Sequence, residues 1–101
     1  MKHILLKTVQ TTIAGKATSV HYRDQIQEVM STASPQGATL DEMRRSIRVL
    51  DAVEALEGSA KVLELEDADF EYMKQRVLAT KWPVIDRALL QFVEDVTNPK
   101  E

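Results

Sequence analysis

The chain has no cysteine. That absence excludes a disulfide framework, thiolate catalysis and thiolate zinc sites, and nothing else argues for an oxidising compartment. Glycine and proline are scarce, with three of each in 101 residues, so each one present marks a boundary. Long apolar runs are also missing. Near the N-terminus only Ile4, Leu5 and Leu6 precede Lys7, which is too short for a secretory segment or a membrane span. A soluble, cytoplasmic protein without membrane contact is the expectation.

Catalytic and ligand-binding signatures are lacking as well. Gly15-Lys16 is not a phosphate-binding loop, because Gln10 stands where the upstream glycine belongs and Ala17 follows the lysine. The run from Asp67 to Glu71 imitates the start of a calcium loop, but Tyr72 replaces its glycine and Leu78 its bidentate glutamate. Neither His3 nor His21 has an acidic residue at metal-ligand spacing on a shared helical face; Asp24, three residues after His21, offers only a surface hydrogen bond or ion pair. None of the serines stands in a nucleophile-elbow context. No cofactor, metal or catalytic residue is therefore expected.

What the sequence does contain is helical periodicity with clear start signals. Thr39 followed by Glu42 is a capping box opening the longest helix, and Gly58 is expected to close it in the left-handed conformation. Its apolar residues fall in two rows, Met43, Ile47 and Leu50 beside Val49, Val53 and Leu56, which predicts partners on two sides. A shorter helix is expected from Ser19 to Ala33, capped by Thr18 or Ser19, with Tyr22, Ile26, Val29, Met30 and Ala33 inward. A third helix follows an acidic start at Glu66 to Glu71, with Phe70, Met73 and Val77 inward. A fourth opens at Trp82-Pro83, with Trp82 plugging the chain reversal, and runs to about Val96 with Ile85, Leu89, Phe92 and Val96 on one face.

Two stretches read as strands. Residues 3–13 are β-branched and uncapped, with a break near Lys7 or Gln10 and a turn at Gly15-Lys16; Ser59 to Leu65 is too short for a helix. The expected architecture is one domain over residues 1–101, α+β and predominantly helical. It has about four helices and a small two-stranded sheet, in the order β-α-α-β-α-α, with residues 97–101 frayed. Ile47, Leu50 and Val53 should be buried against Phe70, Ile85, Leu89 and Phe92.

Charge supplies the remaining signal. Residues 1–50 hold seven Lys/Arg and four Asp/Glu, residues 51–101 six against twelve. The halves attract, either by pairing within the molecule or as opposite patches used in assembly. Arg44, Arg45 and Arg48 project from the central helix and are the candidate partner-binding residues. They point to a protein partner or to self-association. Because a shorter helix and a turn precede them, a helix-turn-helix regulator of DNA is the alternative; the neighbouring Asp41, Glu42 and Asp51 and the acidic balance weigh against it. The segments TLDEMRRSIRVLDAVEAL and VLELEDADFEYMKQRV resemble stretches of small uncharacterised proteins carried by bacteriophages and prophages. That resemblance covers about a third of the chain and implies a source without assigning any residue a role. A non-enzymatic interaction or assembly protein is the functional expectation.

Overall fold

The alternating, β-branched N-terminus is laid out as three short strands. In the computed structural model, which describes residues 2–13, 15–32, 36–58, 60–82 and 85–99, β1 is Lys2–Leu5, β2 Thr8–Ile13 and β3 Lys16–His21. Helix α1 (Tyr22–Ser31), helix α2 (Leu40–Glu54), strand β4 (Val62–Leu65), helix α3 (Asp67–Ala79) and helix α4 (Arg87–Thr97) follow. The fold is α+β and mostly helical, with the helices and strands in the expected order and the strand break where Lys7 interrupts. Expectations that rest on Ala33, Ser34, Pro35, Ser59, Pro83, Lys100 or Glu101 lie outside the described residues.

The first and last strands meet in one small sheet. β1 pairs antiparallel with β4, Ile4 opposite Leu63 and His3 opposite Glu64. Alternation then decides the faces: Ile4, Leu63 and Leu65 are buried, whereas Leu5 and Val62 face outward. A second two-stranded sheet, β2 with β3, goes beyond the single sheet expected from the sequence. Its register, Ile13 opposite Lys16, leaves a two-residue loop, and Gly15 adopts a φ of 81° there, a conformation that a Cβ would strain. Residues 16–21 are thus extended, and α1 begins only at Tyr22 with His21 at its cap. Ser19 is a strand residue and caps nothing. His21 meets Thr8 Oγ1 through Nδ1 at 2.9 Å, in place of the expected contact with Asp24.

The capping box of α2 is formed as the sequence predicts. Thr39 Oγ1 accepts from the Glu42 amide at 3.1 Å, and the Glu42 carboxylate accepts from the Thr39 amide at 3.2 Å. Thr39→Ala is expected to cost about 1 kcal/mol, read as a lower denaturant midpoint at constant m-value. An unchanged midpoint would show that the box contributes nothing.

The other end of α2 corrects the expectation. The helix stops at Glu54 with Ala55 as its cap, and Gly58 does not take a left-handed conformation. The orphan carbonyls find a side chain instead: the Arg23 guanidinium on α1 donates to the carbonyls of Val53 (3.1 Å), Leu56 (3.1 Å) and Glu57 (3.0 Å). A cation at a helix C-terminus also complements the dipole, so α1 both packs against α2 and terminates it.

One core unites the layers. Ile4, Val20, Tyr22, Ile26, Val49, Val53, Leu63, Phe70, Met73, Val77, Phe92 and Val96 are all buried in it. Phe70, Met73 and Val77 are the inward face of α3, as expected. Helix α4 starts later than the sequence suggests, because the Asp86 carboxylate accepts from the Ala88 amide at 3.0 Å and sets the cap there. Ile85 therefore precedes the helix and is fully exposed instead of packing in the core; Leu89 is half-buried and Leu90 exposed. At the far end Thr97, expected to fray, is helical, is buried, and donates its hydroxyl to the Val93 carbonyl.

Candidate interaction surface

Helix α2 touches the body along one of its two apolar rows. Val49 and Val53 are buried, while the upper half of the helix is held by polar contacts to α3: the Tyr72 phenol donates to the Glu42 carbonyl at 3.1 Å and lies 3.0 Å from Ser46 Oγ. Glu42, Ser46, Val49 and Val53 thus form the inward face. The second row then turns outward, with Leu40 62 %, Met43 50 % and Ile47 47 % exposed, and Leu50 half-buried at its end. Ile47 is a surface residue and not the core residue the periodicity suggests. The row is apolar and helically spaced, but none of the described elements covers it.

The arginines do not act as one patch. Arg45 Nε pairs with Asp41 Oδ2 at 3.0 Å along the same helix. Arg48 Nε reaches Asp69 Oδ1 on α3 at 3.2 Å. Arg44 has no ion-pair partner among the described residues, and neither does Asp51, two turns further on; both are exposed. Geometrically, Arg44 and Asp51 flank the apolar row on the same side, each four residues after one of its members, Leu40 and Ile47. The Met43–Ile47–Leu50 row is visible in the sequence, but its outward orientation is not.

Charge pairing across the two halves of the chain is internal at Lys7 with Asp95 (2.9 Å) and Arg48 with Asp69 (3.2 Å), and His3 Nε2 also lies 3.3 Å from Glu64 Oε1. The Asp95 group is the most connected. Its carboxylate accepts from the Tyr22 phenol at 2.6 Å, from Lys7 and from Gln91 at 2.9 Å, tying the start of β2, α1 and α4 together. Burial and the Asp95 carboxylate push the Tyr22 phenol well above its ordinary value, so it stays a hydrogen-bond donor. Burial raises the Asp95 carboxyl, but the hydrogen bonds from Tyr22, Lys7 and Gln91 outweigh it and leave the group below the usual carboxylate range. All these donors and acceptors are consumed in holding elements together. No local pattern could have announced this cluster, because Tyr22 and Asp95 are 73 residues apart.

A cleft of about 430 Å³ lies between the end of α3 and α4, lined by Val77, Leu78, Trp82, Leu89, Leu90 and Val93 among others. Trp82 is half-buried there, edge-on to Phe92 at 6.1 Å, and so serves as the expected plug while lining the cleft. Two of the polar groups at the cleft are committed to the backbone. Thr80 donates to the Arg76 carbonyl and Asp86 caps α4. Among the described residues no group of three His, Asp or Glu side chains is placed to hold a metal ion, and no helix is long and apolar enough to cross a membrane. Comparison with protein-family models, with characterised proteins and with solved structures finds no match to this chain.

Proposed function

We propose that this protein is a non-enzymatic interaction or assembly module that contacts a protein partner through the outward row Leu40, Met43 and Ile47 of α2. The observation that carries the reading is the exposure of three large apolar side chains in register on one helical face. Scattered exposed apolar residues are ordinary, but a contiguous row rimmed by charge is the signature of a contact surface. Arg44 and Asp51 supply that rim, where polar groups select a partner more than they hold it.

Binding to DNA through Arg44, Arg45 and Arg48 has less support. Arg45 and Arg48 already have carboxylate partners, and Asp41, Asp51 and Glu54 on the same helix oppose a phosphate backbone. A cytoplasmic setting, and a phage or prophage source to which the two resembling segments point, complete the reading.

Photo-crosslinking tests the surface directly. A benzophenone amino acid at position 47 is expected to give discrete protein adducts in cells, and the same group at exposed Gln75 on α3 is not. Ile47→Lys should suppress the contact while changing stability by no more than about 0.5 kcal/mol, since the site is already half exposed. Adducts no stronger from position 47 than from position 75 would overturn the reading. So would salt-dependent duplex-DNA binding that is lost when Arg44, Arg45 and Arg48 are all changed to Gln.

A further inference from the structure

We propose that the partner of this row is a second copy of the chain, with the two α2 helices crossing antiparallel about a two-fold axis at Ile47. The inference rests on the reading of the row as a protein contact and adds the identity of the occupant. Around Ile47 the inner members of the row are nearly symmetric, Met43 four residues before it and Leu50 three after, while Leu40 falls level with the exposed Glu54 of the other copy at the edge of the contact. An antiparallel pairing centred there sets Ile47 against Ile47 and Met43 against Leu50 of the other copy.

Charge gives the independent support. In such a pairing a residue meets the one at the mirrored distance from the axis, on the same flank of the row. Arg44 stands three residues before Ile47 and Asp51 four after it, so Arg44 of one copy and Asp51 of the other come to within about 1.5 Å of the same level along the helix. Two-fold symmetry makes the pair twice. Both side chains are exposed and lack an ion-pair partner among the described residues, unlike Arg45 and Arg48. An arginine and an aspartate left unpaired on one flank of the row, at nearly mirrored distances from Ile47, are complementary to the same two residues of a second copy.

The rest of the molecule permits this approach. The buried face at Val49 and Val53 and the centre of the outward row are separated by about 110° around the helix. The two bodies therefore sit on the same side of the helix pair and splay apart.

The test is a charge-reversal pair read by sedimentation equilibrium of the purified chain, from micromolar to near-millimolar concentration. The wild type should show a monomer–dimer equilibrium. Arg44→Glu sets acid against acid and Asp51→Arg sets base against base, and each alone should weaken dimerisation by at least about tenfold. An equimolar mixture of the two variants should dimerise again with a constant close to that of the wild type, because each junction then joins opposite charges. That recovery also shows that both variants are folded. A wild type monomeric throughout would overturn the proposal, as would a dimer indifferent to both reversals or a mixture that fails to recover. If the wild type is monomeric while position 47 still crosslinks to another protein, self-pairing fails and the contact surface stands. If neither is seen, both fail.

Discussion

Phe92→Ala is expected to remove about 3–5 kcal/mol of stability, a large part of the roughly 5–15 kcal/mol typical of a domain of this kind. Phe92 is fully buried. Its ring meets Tyr22 edge-on at 5.1 Å and Trp82 edge-on at 6.1 Å, geometries in which the positive edge of one ring faces the negative face of another. Truncation leaves a cavity bounded by two large rings on separate segments, α1 and the approach to α4, so collapse into it requires both to move. Urea unfolding followed by far-ultraviolet circular dichroism measures the effect. A loss under about 1 kcal/mol would mean that α4 is not anchored through this residue. The same reasoning lowers the expectation for Leu50→Ala, whose side chain is only half-buried at the edge of the core.

Removing Asp95 acts through polar satisfaction instead of volume. Asp95→Ala leaves the fully buried Tyr22 phenol without its acceptor and Lys7 without its counter-ion. A cost of about 1–3 kcal/mol at neutral pH is expected, the range for orphaning a buried donor. The cluster also fixes a pH dependence. The Asp95 carboxyl titrates lower in the folded chain than in the unfolded one, so its contribution is fully present above the unfolded carboxylate value of about 3.9. That contribution is lost as pH falls through the folded value, where the native carboxylate must take up a proton. Asp95→Asn should therefore be less stable than the wild type at about pH 7, and the gap should close below about pH 4. Thermal melts of both proteins from neutral to strongly acidic pH give the comparison, and a gap independent of pH would exclude Asp95 as the titrating group.

Several local features are legible in the sequence. The capping box at Thr39 and Glu42, the inward face of α3 and a strand break near Lys7 follow from neighbouring residues and period. The antiparallel pairing of β1 with β4 instead joins residues far apart in the chain and was decided only by the fold. The β2–β3 hairpin is also written locally, although helical periodicity hides it. Two β-branched stretches, TVQTTI and KATSVH, flank a two-residue loop containing glycine, a hairpin signal. The helical spacing from Tyr22 onward competes with that signal and suggests a start of α1 too far back, at Ser19.

The sequence by itself determined the class of the fold, the number of helices and which of their residues are apolar, because these depend on interactions within a few residues along the chain. Only the tertiary structure decided which of the two apolar rows on α2 faces the core. Periodicity ranks residues by hydrophobicity but is blind to rotation about the helix axis. That rotation is set by Tyr72 holding Glu42 and Ser46, and by Arg23 closing the far end. These contacts span 26 to 34 residues, and the pairing of Arg48 with Asp69 spans 21. The same long-range contacts withdrew Arg48 from the arginine row and left Arg44 and Asp51 as the charges flanking the apolar one. A three-arginine patch read from adjacent positions thus became an apolar row with Arg44 and Asp51 beside it, since Asp41 on the same helix occupies Arg45 and folding brings Asp69 to Arg48.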